Sequence, residues 1–231
     1  MRVVPKNARY EIKFVANELE LNKILNWINN HPARFISTYP NRQVNNVYFD
    51  TFNYSCYEEN LSGASSRAKV RYRWYGSSKS FKKGVLEVKL KRNFFGWKLN
   101  FPIDELKSSA YTNWREFKNG ISRQLSPDGK VWMNQYPQPV IINRYKRKYF
   151  VSNDGDIRVT VDTNQQAFDQ RMSSVPNFKS SAHIAKNLIV EFKFGQAHRD
   201  IASEYMQSIP IRVSRHSKYV LGVHAIKLDT R

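Results

Sequence analysis

Ser66-Arg67-Ala68-Lys69-Val70-Arg71-Tyr72-Arg73-Trp74-Tyr75 alternates without a break. In an extended chain Arg67, Lys69, Arg71 and Arg73 fall on one side, and Ala68, Val70, Tyr72 and Trp74 on the other. This period of two predicts a strand with one cationic and one apolar face. The pattern recurs outward from there. Residues 85–92 set Glu87, Lys89 and Lys91 opposite Leu86, Val88 and Leu90. Residues 9–15 set Glu11 and Lys13 against Tyr10, Ile12 and Phe14, and residues 188–194 set Glu191 and Lys193 against Val190, Phe192 and Phe194. Residues 143–151 and 156–163 read as a hairpin across Ser152-Asn153-Asp154-Gly155. Its first strand groups Tyr145, Arg147 and Tyr149; its second groups Asp156, Arg158, Thr160 and Asp162 against Ile157, Val159 and Val161. Residues 43–50 read as a further strand.

Between these strands, Leu21, Ile24, Leu25 and Ile28 recur at helical spacing, which predicts a helix over 18–30 ended by Pro32. Residues 54–63 read as a short helix or turn, 76–78 as a turn, 93–103 as extended, 104–124 as helix and 198–208 as helix. The three prolines of 125–139 suggest a loop, and the polar stretch 165–186 a mobile one that is a candidate lid. Residues 212–227 read as turn plus strand. No repeat or internal boundary breaks the pattern, so residues 1–231 are expected to form one domain, a length that suits a closed or sandwich-like β fold.

Lys and Arg number 38 against 19 Asp and Glu, a formal charge of +19 that calls for a polyanionic partner: nucleic acid, an anionic membrane surface or a phosphorylated ligand. Cys56 is the only cysteine, which excludes an internal disulfide and a cysteine-rich zinc site. The five histidines show no metal-ligand spacing. No apolar run is long enough to span a membrane, and the N-terminus lacks a secretory signal. The expected setting is soluble, reducing and cytoplasmic, with attachment at the inner face of a membrane as a variant of it.

The ordinary reading of these strands is a sheet with a solvated outer face. Against it, the polar face is almost entirely Arg, Lys and Glu. Glu-x-Lys occurs at Glu11–Lys13, Glu87–Lys89 and Glu191–Lys193, each inside a strand, where period two puts both side chains on one face roughly 6–7 Å apart. It also occurs at Glu105–Lys107 and Glu116–Lys118, outside strand patterns. A row of cations repels itself, and a bound polyanion relieves that repulsion. Guanidinium groups suit phosphate oxygens. Carboxylates among them make sense where a divalent cation sits between carboxylate and phosphate oxygens.

Arg9-Tyr10-Glu11-Ile12-Lys13-Phe14, Lys69-Val70-Arg71-Tyr72-Arg73, Leu86-Glu87-Val88-Lys89, Tyr145-Lys146-Arg147, Ile157-Arg158-Val159-Thr160-Val161-Asp162-Thr163, Val190-Glu191-Phe192-Lys193 and Ser217-Lys218-Tyr219-Val220-Leu221-Gly222 follow one another along nearly the whole chain. In this order they resemble the CYTH-like triphosphate tunnel metalloenzymes, most closely their VTC (polyphosphate polymerase) domain family. The resemblance implies an α+β fold: a closed antiparallel β-barrel of about eight strands around a polar tunnel, with flanking helices. It implies that Lys13, Arg71, Arg73, Lys89, Arg147, Arg158 and Lys218 grip phosphates and serve catalysis. The substrate-binding group extends to Lys69, Lys91, Lys193 and Ser217. Glu191 would hold Mn²⁺ or Mg²⁺, with Glu87 and Glu11 as further candidate ligands. ATP and inorganic polyphosphate would be the substrates, with a membrane-embedded protein as a candidate partner. The first strand carries one Glu-x-Lys, not the doubled form of the triphosphatase branches, which favours a polymerase over a hydrolase.

Three functions stay open at this point: polyphosphate synthesis from ATP, metal-dependent hydrolysis of triphosphate or polyphosphate at the same site, and a non-catalytic module binding polyphosphate, inositol phosphates or RNA. Nucleic acid is the less favoured partner, because the basic residues follow strand period and no recognition signature is present. Lys218 is either a phosphate clamp or a surface lysine. Asp162 is read as a hydrogen-bond partner for a neighbouring Arg, His216 as structural or solvent-exposed, Tyr72 and Trp74 as core, and Cys56 as a small buried residue. Arg67, Arg144 and Lys146 are read as surface.

Overall fold

The alternating segments pair into one antiparallel sheet with helices against its apolar side. The structure is a computed structural model that describes residues 9–76, 81–93, 95–107 and 113–228. In chain order the elements are β1 (Tyr10–Asn17), α1 (Leu21–Asn29), β2 (Ile36–Asp50), α2 (Ser55–Leu61), β3 (Ser66–Tyr75), β4 (Gly84–Arg92) and β5 (Phe95–Ile103). They continue with α3 (Trp114–Gln124), α4 (Pro127–Gln135), β6 (Gln138–Val151), β7 (Arg158–Asp169), β8 (Ser181–Ala182), β9 (Asn187–Phe194), α5 (Arg199–Gln207) and α6 (Lys218–Leu228). Among the described residues the strand order is β1-β9-β7-β6-β2-β3-β4-β5, with β8 added to β7, and every pairing is antiparallel.

The apolar half of each strand faces outward and is covered by helices. Val70, Tyr72, Trp74, Leu86 and Val88 pack with Phe117 of α3, Met133 of α4 and Cys56 of α2. Val159, Val161, Val190 and Phe192 pack with Ile24 and Ile28 of α1 and Ala202 of α5. Burying each of these larger side chains contributes roughly 1.5–3 kcal/mol. With its apolar side so covered, the sheet turns its charged side inward. Lys89 of β4 reaches Glu11 of β1 at 2.5 Å, although β9, β7, β6, β2 and β3 lie between those strands in the sheet. The sheet is therefore strongly curled.

Among the described residues no hydrogen-bonded ladder closes it, so the expected closed barrel gives way to an open, curled sheet of nine strands. One bridge, Arg9 N–H to Gly96 O at 3.4 Å, joins the two edges. The remaining edge of β1 is met by residues 213 and 214: Val213 bridges Phe14, and Ser214 N–H donates to Lys13 O at 2.9 Å.

Four further expectations change. Residues 125–139 hold a helix rather than a loop, because Ser126 caps it and Pro127 occupies the first turn, where a missing N–H costs nothing. The proposed helix over 104–124 begins only at Trp114, and residues 108–112 of it lie outside the described residues, as do Ser77 and Ser78 of the expected turn. The stretch 165–186 is not a free loop: 165–169 complete β7, and Gln170 is buried, its side chain hydrogen-bonded to Phe168 O and Asn177 O. The C-terminal strand is instead α6, whose Gly222 packs on Ile141 and Ala167. No helix among the described residues is long and apolar enough to cross a membrane.

Gly84 opens β4 beneath the ring of Tyr72, whose hydroxyl donates to Phe81 O at 2.8 Å. A Cβ there would lie 2.5 Å from Arg73 O and 2.5 Å from the Tyr72 ring. Gly84→Ala is expected to cost about 2 kcal/mol or more by overpacking, read as a lower urea midpoint; an unchanged midpoint would refute this packing.

Candidate active site

Period two in seven strands delivers the charged side chains to one concave face, and the register decides which meet. Three groups form. In the first, Glu11 of β1 and Glu191 of β9 lie among three lysines. Lys13 Nζ is 3.9 Å from Glu11 and 3.5 Å from Glu191. Lys193 Nζ is 3.6 Å from Glu11 and pairs with Glu191. Lys89 holds Glu11. In the second, Glu87 accepts from Arg71 Nε at 2.7 Å and from Lys98 Nζ at 2.8 Å, with Arg73 at 3.7 Å. In the third, buried Asp162 receives Arg147 Nε at 2.5 Å and Nη2 at 2.7 Å, and Lys218 Nζ at 2.6 Å. Lys218 also lies 4.6 Å from the Tyr145 ring centroid.

The groups are linked. Arg71 donates to Tyr48 Oη at 3.0 Å, Arg73 Nε to Asn46 Oδ1 at 2.8 Å, and Lys69 Nζ to Ser217 Oγ at 2.9 Å. Ser217 Oγ accepts from Val220 N–H at the start of α6, so one hydroxyl joins that helix to the sheet.

Burial makes the charges interdependent. It would raise the Glu191 carboxyl, but Lys193 and Lys13 hold it well below its ordinary range. Glu87 is likewise held low against burial, chiefly by Arg71 and Arg73. Lys89 is pushed by burial down to about 8, with Glu11 opposing. Burial, with Lys13 and Lys89, holds Lys69 well below its ordinary value. His216 is pushed by burial, and by Lys218 and Lys13, down to about 3, so its ring is neutral.

Of the residues singled out in the sequence, Lys13, Lys69, Arg71, Arg73, Lys89, Arg147, Lys193, Ser217 and Lys218 converge with Glu11, Glu87 and Glu191. Lys91 sits half-buried at the end of β4 on the same face. Arg158 stands exposed at the start of β7, with no ion pair among the described residues. Lys218 reaches the face from the first turn of a helix, not from a strand. The sequence pattern did not point to Lys98, whose strand shows no charged row, or to Tyr48 and Asn46, which are uncharged. Nor did it point to Thr160, opposite Glu191 in register, whose buried hydroxyl has no hydrogen-bond partner among the described residues. Asp162 partners Arg147, as its neighbourhood suggested.

Lys13 and Lys193 each bridge Glu11 and Glu191, so these two carboxylates lie side by side; they are the residues that would hold a divalent cation if the ammonium groups gave way. Glu87 faces three cations, and among the described residues no cluster of three or more ligating side chains forms.

A family model described as the VTC domain matches residues 8–227. No curated protein matches the chain. Among solved structures, the PH1819 protein from Pyrococcus horikoshii OT3 is 10% identical, with 96% of this chain and 99% of that chain covered at a TM-score of 0.48. A putative adenylate cyclase from Vibrio parahaemolyticus is 12% identical, with coverage of 94% and 99% and a TM-score of 0.49.

Burial would raise Asp162, but Arg147 and Lys218 bring it from 3.8 to about 2. A depressed carboxylate stabilises the fold fully above about pH 4 and loses that contribution as pH falls toward 2; here it is worth about 2 kcal/mol. Urea melts from pH 7 to 2 should show this loss in the parent and not in Asp162→Asn. At pH 7 that variant is expected to be about 3 kcal/mol weaker, since it strands two buried cations, and added tripolyphosphate should recover part of the deficit. A variant as stable as the parent would refute the pairing.

Proposed function

The chain belongs to the VTC domain family, and from that premise we propose that it is a polyphosphate polymerase, adding the γ-phosphate of ATP to a growing phosphate chain. Membership supports work on polyphosphate or triphosphate by a phosphotransferase-type enzyme. The polymerase reading rests on one observation: cations from β1, β3, β4, β6, β9 and α6 meet on a concave face that also holds two adjacent carboxylates.

In the resting site the counter-ions of the cations are carboxylates. A phosphate chain exchanges with them. Arg71 and Arg73 move from Glu87, and Arg147 and Lys218 share their charge between Asp162 and phosphate oxygens. Lys13, Lys89 and Lys193 then face phosphate rather than Glu11 and Glu191. Those two carboxylates, released, would hold Mn²⁺ or Mg²⁺, which supplies Lewis-acid neutralisation of phosphoryl oxygens. The terminal phosphate oxygen of the chain attacks the γ-phosphorus of ATP. The bond from γ-phosphorus to the β,γ-bridging oxygen breaks, and ADP leaves with the electron pair. The attacking phosphate is already ionised, so no protein base and no covalent enzyme intermediate are required. The protein contributes alignment and charge neutralisation, the main terms in phosphoryl transfer. Half-buried lysines and buried arginines keep water sparse around the chain, which strengthens each charge contact.

Purified protein given ATP and Mn²⁺ is expected to make long-chain polyphosphate, seen on a gel. Glu191→Gln should lower the rate by about 100-fold or more, the scale of losing a preorganised electrostatic group, while tripolyphosphate binding stays within a few-fold. Free phosphate without polymer would replace synthesis by hydrolysis. Tight tripolyphosphate binding with no turnover would overturn the enzyme reading.

A further inference from the structure

The concave face does not end at its charged groups. Beyond Tyr145 and Asp162 the same side of β6 and β7 continues to Asn143 and Ala167, which pair across the ladder. Helix α6 lies over them. Lys218 in its first turn reaches Asp162, and Gly222, one turn on, packs on Ile141 and Ala167. Between α6, the end of β7 and residues 183–187 lies a cavity of about 180 Å³. Leu221 and Leu228 line it and are 44% and 53% exposed, so it opens to solvent along that side of the helix.

Its lining differs from the rest of the face. Lys218 is the only Lys or Arg that lines it among the described residues, and no carboxylate does. The Lys218 ammonium is already held by Asp162 at 2.6 Å. The His216 ring, also in the lining, is neutral. What the cavity offers instead is uncharged hydrogen-bonding capacity. Asn143 accepts from Asn46 at 2.7 Å through Oδ1, while its own Nδ2 donates to no group among the described residues. The side chains of Asn187 and His224 make no hydrogen bond among those residues either. An apolar cavity of about 150 Å³ holds benzene. This one therefore admits a planar heteroaromatic ring, held by apolar contact with Leu221 and Ala225 and by polar groups at its edge.

We infer that this cavity receives the nucleobase of a nucleoside triphosphate whose phosphates lie on the adjoining charged face. The inference rests on the proposed polymerase function and deepens it. Donor and acceptor in that reaction both present phosphate chains, and cations alone do not tell them apart. A base seated one helical turn beyond Lys218 marks one triphosphate as the donor and points its γ-phosphate away from α6, toward Glu11 and Glu191. A bare phosphate chain gains nothing in the cavity. It would lose water there without gaining a counter-ion.

The test titrates three probes by calorimetry, with a chelator present so that none is turned over. They are ATP, ribose 5-triphosphate (the same phosphates and sugar without a base) and tripolyphosphate. The parent is expected to bind ATP about tenfold more tightly than ribose 5-triphosphate, the scale of burying part of an apolar ring. Ala185→Trp puts a large side chain at an exposed lining residue. It should bring ATP down to the affinity of ribose 5-triphosphate, with tripolyphosphate affinity and melting temperature unchanged. If that variant does not fold, Leu221→Trp, also at an exposed lining residue, carries the same comparison. Equal binding of ATP and ribose 5-triphosphate by the parent would overturn the base cavity and leave the polyphosphate function standing. So would an undiminished preference for ATP in the variant, or equal losses of ATP and tripolyphosphate. Failure of the parent to bind any of the three would instead remove the function, and the inference with it.

Discussion

Ionised side chains buried on the inside of a sheet must be neutralised, because taking each from water costs several kcal/mol. Glu191, Glu87 and Asp162 are nearly or fully buried, as are Arg73 and Arg147. Pairing within a strand, as between Lys193 and Glu191, is only part of the neutralisation. Glu191 needs Lys13 from the neighbouring strand, Glu11 needs Lys89 from the far side of the sheet, and Asp162 needs a helix that arrives near the end of the chain. The curl of the sheet, the seating of α6 and the strip at residues 213 and 214 beside β1 all serve that requirement. Replacing such pairs by apolar residues often stabilises a protein. Their presence in quantity is therefore better explained by binding than by stability.

The same pairs describe a site prepared for exchange. Most of these cations are held in place by a carboxylate that, on the proposed function, a phosphate oxygen would replace, so the geometry exists beforehand. Preorganisation of this kind lowers the reorganisation needed on binding. Around Glu11 and Glu191 three lysines meet two carboxylates, so a net positive charge remains at the centre of the face.

How much of this was legible in the sequence depends on which signals are local. The strands were readable because one face is buried by helices and the other is charged, which writes period two into residues 66–75 and 85–92. The convergence of Glu11, Lys89 and Glu191 could only be inferred from resemblance, since it depends on curl, a property of the whole sheet. Helix α6 does not stand out in the sequence because Tyr219, Gly222, Val223, Ala225 and Ile226 are all buried. A helix apolar on several sides carries no clear period of 3.6. Helix α4 is hidden in the sequence because its prolines read as breakers, although Ser126-Pro127 is a start signal. Thr160 and Tyr48 carry no charge and stand out only through their surroundings.

The pairing of β1 has a consequence for how the chain is made. Apart from the contacts of Arg9 and Phe14 with Gly96 and Val213, its only ladder among the described residues is to β9, between Tyr10–Asn17 and Asn187–Phe194. During synthesis the first of these strands to emerge therefore waits until nearly all of the polypeptide between them has left the ribosome before it finds its neighbour. Loop closure over so long a separation is slow. Throughout that wait β1 is an unpaired edge, the kind of segment that seeks wrong partners. Its alternating Glu11 and Lys13 keep one side wet during that interval, so the charges that later line the concave face also act as gatekeepers against aggregation at birth.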